Sequence, residues 1–291
     1  MKWGILAALM LMVWVPVFGQ SRTPSRNYRV DISRGTNITR DTGLVAKFGY
    51  NPDIDATEQV WDGDSVYVFR TQANADTLYA SSSVVADTVV VEISGLDSNY
   101  VAVRDTFTTQ GRTQVAVPGN GTKWLRVFRG KVISVGGDGL PATGAAGDIY
   151  LTYHTATTNG VPDVDEHIQM KITAGENQTL MAIYTVPLGK VAVMVDWYVT
   201  TTSSALEFIG RIKATNGSDG IFKTKELVNL KGSPYARILG APVTFPEKTD
   251  IYLQATAAAP NTPVAGGFSL ILFDEDRDQT DGPTFLYRIN G

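Results

Sequence analysis

The chain has 291 residues, a formal net charge of −4 at pH 7, two histidines and no cysteine. The missing cysteines exclude disulfides, zinc thiolate sites, iron–sulfur clusters and a cysteine nucleophile. The acidic balance disfavours general nucleic-acid binding, which usually needs a basic face, and any histidine-based mechanism would have to use His154 or His167.

Residues 1–19 form a predicted leader or anchor. Lys2 precedes an apolar run over 3–15, and the segment closes before a possible cleavage site between Gly19 and Gln20, a pattern typical of a secretory leader. A retained anchor is the weaker alternative, because a membrane span needs about 20 apolar residues. Contact with a membrane is expected only if the leader is retained. A third alternative is that translation begins further downstream.

Residues 20–47 are polar and lack periodicity, and they carry six basic residues against two aspartates, a local charge of +4. We expect a flexible basic arm, because such a segment buries too little apolar surface to fold alone. It is either a solvated linker or a segment that docks on an acidic neighbour.

Residues 48–135 are predicted to form an N-terminal β domain. Short β-branched and aromatic runs are separated by turn residues at spacings typical of a sandwich or barrel: 66–69, 88–93, 100–108 and 112–117. In the next run, strand alternation puts Leu125 and Val127 on one face and Trp124, Arg126 and Phe128 on the other. The second face is either a contact surface or part of a half-buried strand.

Residues 136–148 hold five glycines and one proline without apolar periodicity. We expect a Gly-rich linker here and place the domain boundary in it. A phosphate-binding loop is disfavoured, because no Gly-Lys-Ser/Thr sequence follows.

Residues 149–275 are predicted to form a C-terminal β-sandwich. Alternation over 168–173 places Ile168, Met170 and Ile172 in the core and Gln169 outside. Further strands are expected at 191–202, 206–212, 250–257 and 268–273, with Ala-Gly turns at 174–175 and 265–267. The fold class is therefore all-β with two β-sandwich domains, the C-terminal one jelly-roll-like, followed by a tail over 276–291.

Two polar clusters contain residue types that could support chemistry. Residues 274–278 begin like a calcium loop, but Gln279 stands where the loop needs glycine and Phe285 where it needs glutamate. Asp163, Asp165, Glu166 and His167 are sequence neighbours, and a polar turn explains them better than a converging site. We predict no catalytic, cofactor-binding or metal-binding residues and no enzyme activity, although paired carboxylates for glycoside cleavage leave no spacing rule in sequence.

Several sequence segments of the chain resemble those of a family of virion structural proteins of tailed phages, chiefly marine ones. They are FGYNPDID at 48–55 with Trp61 following, ADTLYASSS at 75–83, GDIY at 147–150, AGENQTLMAIYTVP at 174–187 and VAGGF at 264–268. The resemblance implies a β-rich, non-catalytic particle protein that decorates the capsid or belongs to the tail. Its implied partners are copies of itself and other virion proteins. The leader departs from this pattern, because phage virion proteins assemble in the host cytoplasm.

Two functions follow as hypotheses. The first is a virion structural protein that acts through subunit contacts as a homo-oligomer, for which we expect a trimer. The second is an exported, extracellular or periplasmic β-sandwich that binds carbohydrate at a cell surface, with Trp61, Trp124 or Trp197 as stacking residues. Each tryptophan also suits a core position, since large aromatic residues dominate buried area.

Overall fold

A computed structural model describes residues 43–63, 66–117, 119, 123–135, 144–202 and 207–275. The leader, the arm up to residue 42, residues 136–143 of the linker and the tail lie outside the described residues. The described chain forms β-strands and two single-turn 310 helices, at Gln72–Asn74 and Asp165–His167, and contains no α-helix. The all-β prediction is confirmed. Within these ranges no helix is long and apolar enough to cross a membrane.

The strands form two sandwiches, which we name by their place in the chain. The terminal sandwich uses the first two strands and the last seven, and the inserted sandwich lies between them in sequence. The terminal strands are β1 (Gly43–Ile54), β2 (Thr57–Gln59), β12 (Ile183–Thr185), β13 (Lys190–Thr201), β14 (Glu207–Ala214), β15 (Lys223–Lys231), β16 (Tyr235–Phe245), β17 (Asp250–Ala257) and β18 (Thr262–Asp274). The inserted strands are β3 (Leu78–Ser82), β4 (Val89–Asp97), β5 (Ala102–Thr108), β6 (Val115–Val117), β7 (Trp124–Val135), β8 (Ile149–Thr152), β9 (Thr157–Thr158), β10 (Val161–Pro162) and β11 (Ile168–Ile172).

The terminal sandwich packs a sheet of order β1-β18-β13-β16 against a sheet of order β12-β17-β14-β15, with β2 added on β17. All of these pairs are antiparallel. Alternating residues of the long strands point inward, among them Trp197 of β13, Phe208 of β14 and Phe268 of β18, and they share one core. Two facing sheets of four or five strands are the architecture expected of a jelly-roll-like sandwich.

The inserted sandwich packs a sheet of order β11-β8-β3-β6 against a sheet of order β5-β4-β7. Leu78 of β3, Ile93 of β4 and Ile149 of β8 belong to its core. The short hairpin of β9 and β10 follows β8 and stands outside both sheets.

Strand pairing corrects the predicted domain boundary at 136–148. Strands β8 and β11, assigned to the C-terminal domain, pair in one sheet with β3 of the N-terminal half. Strand β1, which takes residues 43–47 from the predicted arm, pairs with β18, and β2 pairs with β17. The Gly-rich segment therefore joins two strands of the inserted sandwich, β7 and β8. Turn signals are local, whereas strand partners lie at long sequence separations, so a local composition change did not mark the boundary between the sandwiches.

Two glycines predicted to form a turn lie in the middle of β18 instead. Gly266 and Gly267 pair with β1 on one side and β13 on the other. A Cβ on Gly267 would lie 2.1 Å from the carbonyl oxygen of Lys47, and one on Gly266 would lie 2.4 Å from Leu253 Cδ2. Glycine is used here because neighbouring backbone and core atoms come too close for a side chain.

Residues 66–69, predicted as a strand, form no ladder. The segment is held by the Gln59 side chain, which accepts from Tyr67 N at 2.9 Å and donates to Tyr67 O at 3.2 Å. A side-chain amide thus supplies the hydrogen bonds that a neighbouring strand would otherwise provide.

Strand β11 corrects the predicted exposure of Gln169. Met170 and Ile172 lie in the inserted core as expected, but Ile168 lies in a separate apolar cluster, because the register with β8 shifts between Ile168 and Met170. Gln169 falls at this shift and is fully buried, where its Nε2 donates to Ile168 O at 3.3 Å and Val68 O at 3.4 Å. A β-bulge breaks the period of two on which the prediction depended.

Candidate functional site

Strand β7 ties the two sandwiches together because both of its faces are buried. Trp124 and Val127 pack in the inserted core, whereas Leu125 and Phe128 pack in the terminal core. The pairing of β7 with β4 shifts register at the positions of Leu125 and Phe128, and these two residues are left without a partner on β4. Two bulges therefore turn one strand toward two cores, which replaces the simple two-face alternation predicted for residues 124–128.

Arg126 lies between those bulges and forms an ion pair with Asp250 of β17. Its Nε lies 3.2 Å from Asp250 Oδ1 and its Nη2 lies 3.0 Å from Oδ2, and both residues are buried. Asp250 also accepts from the Thr185 hydroxyl, and its backbone N–H donates to Thr215 Oγ1 at 2.9 Å. Arg126 is therefore a structural residue and does not belong to an exposed contact face.

The tryptophans offered as carbohydrate-stacking residues are all inside the molecule. Trp61, Trp124 and Trp197 are each 1% exposed. Trp124 Nε1 donates to Val117 O at 3.0 Å. A sugar ring cannot stack on a buried indole, so these residues serve packing and the carbohydrate hypothesis loses its named contacts.

A cleft of about 710 Å³ lies between the two sandwiches. Residues of β1, β2 and the segment after β2 form one side, and residues of the second 310 helix, β11 and the segment after β11 form the other. Six carboxyl residues line it, together with Lys171: Asp53, Asp55, Glu58, Asp62, Glu166 and Glu176. We call it the acidic cleft.

The β1–β2 segment holds its carboxylates in place through local hydrogen bonds. Asn51 donates to Glu58 Oε2 at 3.0 Å, and Glu58 Oε1 accepts from Asp55 N at 3.1 Å. The pKa of Asp53 is raised, mainly by partial desolvation and to a smaller extent by the negative charges of Asp55 and Glu58. The β1–β2 side of the acidic cleft therefore brings together carboxylates whose negative charges repel one another.

Asp62 is the buried carboxyl of the acidic cleft. It is 6% exposed, its Oδ2 accepts from Thr173 Oγ1 at 3.3 Å, and its Oδ1 has no hydrogen-bond partner. Burial raises the pKa of Asp62 to about 7, because two backbone N–H groups, Lys171 and Thr173 only partly offset the desolvation.

Glu166 is the one member of the predicted cluster at 163–167 that lines the cleft. Asp163 and Asp165 are exposed, in agreement with the preferred polar turn, and Asp165–His167 forms the second 310 helix. His167 stacks on His154 with ring centroids 4.5 Å apart. Partial burial, and to a smaller extent electrostatic repulsion by His154 and Arg70, lowers the pKa of His167. Among the described residues, no three His, Asp or Glu side chains form a group suited to a metal ion.

A second groove, of about 430 Å³, lies between β1 and the β4–β5 region and is basic. Lys47 is buried there, and its amine donates a hydrogen bond to Phe128 O. Burial, and to a smaller extent repulsion from the positive charge of Arg129, lowers the pKa of this amine to about 7. Arg129 donates to Gln178 Oε1 at 2.8 Å, and Arg104 lies 3.8 Å from Glu92. Each cation of this groove already has a partner within the chain.

Strand β15 is one edge of its terminal sheet and β16 is one edge of the other; β1 and β12 lie at the opposite edges. Leu227 of β15 is 55% exposed and Ile238 of β16 is 75% exposed. Strand β15 carries three lysines, which is a common protection of a free edge. Strand β16 carries one charged residue, Arg237, which pairs with Glu226 at 2.8 Å. Strand β16 has no lysine, but Pro242 and a register shift interrupt its ladder with β13, so its regular open stretch is 235–238, which includes Ile238.

Within the segment that begins like a calcium loop, Asp274 and Glu275 lie among the described residues. Asp274 ends β18 and pairs with Lys190, and Glu275 N donates to Gly189 O at 2.9 Å. Residues 276–278 lie outside the described residues.

No family model and no curated protein matches this chain. Among solved structures, one of infectious bursal disease virus, Gx strain, is 9% identical with a TM-score of 0.23, covering 83% of this chain and 74% of that one. A structure of the Gt strain of the same virus is 11% identical with a TM-score of 0.19, covering 85% and 77%.

Proposed function

We propose that the chain is a non-catalytic structural protein of a tailed-phage virion, in which it decorates the capsid or belongs to the tail and acts through contacts between copies. The observation that carries the proposal is the β16 edge, where Ile238 is 75% exposed on a strand with one charged residue. An open edge of this kind pairs readily with another strand.

The occupant of the β16 edge is a second copy of the chain. The rigid framework beneath it, with two fused cores and a buried ion pair between them, keeps the edge in a fixed geometry. Symmetric assemblies use such self-complementary or head-to-tail surfaces repeatedly. Location in the virion is part of the proposal, and export through the leader remains its alternative.

Sedimentation velocity of the full chain tests the subunit contact. We expect an oligomer at micromolar concentration that dissociates on Ile238→Asp, because a carboxylate at the contact must be desolvated. Ile221→Asp is the matched control, since Ile221 is 63% exposed but precedes β15. A wild-type chain that is monomeric throughout, or equal dissociation of both variants, contradicts the contact. Antibody labelling of purified phage particles tests the location, and unlabelled particles contradict it.

A further inference from the structure

The acidic cleft has the chemistry of a site for a cationic partner. Six carboxyl residues line it against one lysine, and Lys171 also lies 3.5 Å from Asp148, which is not among the lining residues. A concave surface with charges of one sign concentrates the electric field and attracts oppositely charged groups.

Asp62 indicates that a donor is missing from the floor of the cleft. Its side chain is more than nine-tenths buried, it lines the cleft, and its Oδ1 has no hydrogen-bond partner. Buried carboxylate oxygens are normally hydrogen-bonded, and an unsatisfied one is costly. A charged N–H donor entering the cleft would satisfy this oxygen.

A metal ion fits this arrangement less well than an organic cation does. No three carboxylates or histidines of the described residues converge closely enough to ligate one. The carboxyl groups are instead spread over a cleft of about 710 Å³, which has room for several side chains. An extended basic peptide matches both this spread and the volume.

Residues 20–42 of the chain have that chemistry. They carry five arginines against two aspartates, a net charge of +3. Guanidinium groups bind carboxylates through paired hydrogen bonds, and they are more weakly hydrated than ammonium groups, which favours their entry into a partly buried site. We propose that the acidic cleft binds residues 20–42 of a second copy of this chain, with an arginine donating to Asp62.

The direction of β1 favours a second copy over the chain's own arm. The arm joins β1 at Gly43, whereas the cleft lies at the other end of this 12-residue strand. At about 3.3 Å per residue the two ends are roughly 36 Å apart. An arm that docked on its own cleft would have to turn back along the sandwich, whereas a neighbouring copy beyond Gly43 meets the arm directly. The contact is head-to-tail and can propagate around a ring.

This inference rests on the proposed function, because both require contact between copies of the chain. The surface that it uses is the acidic cleft and not the β16 edge. The absence of cysteine from the sequence allows a direct test by disulfide trapping in the full chain. One tagged chain carries Ser33→Cys, next to Arg34 of the arm, and a second chain carries Val66→Cys. Val66 lines the cleft, is 55% exposed and contributes no charge. The control partner carries Val85→Cys, at a 72% exposed position outside the cleft.

After mild oxidation of the mixed chains, the yield of the mixed disulfide dimer is measured on a non-reducing gel. We expect roughly five-fold more dimer or better with Val66→Cys than with Val85→Cys, because docking raises the local thiol concentration. Asp62→Asn in the Val66→Cys chain should lower the yield severalfold, as should high salt, which screens the attraction. Asp163→Asn, which removes the same charge from an exposed residue outside the cleft, should leave the yield unchanged.

Equal yields at Val66 and Val85 would overturn the docking of the arm. A disulfide that forms only when both cysteines are in one chain would overturn the assignment to a second copy. If the cross-link is missing while the chain still forms the Ile238-dependent oligomer, the arm contact alone is refuted and the proposed function stands.

Discussion

Arg126 of β7 and Asp250 of β17 form a buried two-point ion pair that joins the inserted sandwich to the terminal one, with N···O distances of 3.2 and 3.0 Å. Both charged groups are removed from water, and each one offsets the lost hydration of the other through the ion pair. Leu125 and Phe128, the bulged residues on either side of Arg126, pack into the terminal core. The ion pair and the bulged residues together join the two sandwiches.

Replacing one partner of this pair should be strongly destabilising. Arg126→Met leaves the Asp250 carboxylate buried without its countercharge, and we expect a loss of about 3–5 kcal/mol in the free energy of unfolding. Urea denaturation measures it. Arg237→Met, which breaks the exposed ion pair with Glu226, is the control and should cost less than about 1 kcal/mol. Similar costs for the two variants would show that the buried pair does not hold the sandwiches together.

Asp62 should make the fold less stable as the pH rises. Its pKa is raised to about 7 in the folded protein from 3.8 in the unfolded chain, so the folded state binds more protons between these values. Stability therefore falls as pH rises from about 4 to 7, and the full penalty remains above pH 7. Asp62→Asn, which mimics the neutral acid, should raise the melting temperature at pH 8 and change it little at pH 4.

The comparison is made as variant minus wild type at each pH, because other groups titrate in the same range. Lys171 and Thr173 face Asp62 in both proteins, and the lowered pKa of Lys47 acts in both. Asp163→Asn, which makes the same substitution at an exposed residue outside the cleft, serves as the control. A pH-independent effect of Asp62→Asn would contradict the raised pKa.

The sequence predicted individual strands well where propensity is local. Residues 250–257 match β17, and 191–202 differ from β13 by one residue at each end. Their β-branched and aromatic residues favour extended backbone whatever the partner. The pairing partners of the strands were not predictable from local sequence. Strand β1, for example, pairs with β18, and the whole inserted sandwich lies between these two strands in the sequence.

The acidic cleft was largely hidden from sequence analysis for the same reason. Its carboxyl residues come from separate segments, and of the two polar clusters considered for chemistry only Glu166 contributes to it. No sequence pattern singles out Asp62. Its burial and its unsatisfied oxygen arise only when residues after β11, such as Thr173, pack on the segment after β2, which no local pattern encodes.

Position 169 tests the bulge in β11. Met170→Asp buries an unpaired carboxylate in the inserted core and should cost several kcal/mol, enough to unfold a domain of ordinary stability. Because Gln169 is also fully buried, Gln169→Asp should be destabilising as well, by about 1–3 kcal/mol. Thr155→Asp, at an exposed position after β8, is the control. If thermal unfolding shows Gln169→Asp to be as harmless as Thr155→Asp, Gln169 faces solvent and the bulge is misplaced.

Two glycines in strands of the terminal sandwich provide a matched pair for the tight packing of β18. A Cβ at Gly267 would lie 2.1 Å from Lys47 O and 2.9 Å from Phe48 Cα, both backbone atoms of β1 that cannot move without separating the strands. Gly240 on β16 has nothing within 4 Å of the same added atom. Gly267→Ala should therefore lower the free energy of unfolding by about 3 kcal/mol, in the upper range of overpacking costs. Gly240→Ala should stay within about 0.5 kcal/mol of wild type, or gain slightly because alanine restricts the unfolded chain. Equal unfolding midpoints for the two variants would mean that β1 does not pair with β18 at this distance, and the terminal sandwich would lose its first strand.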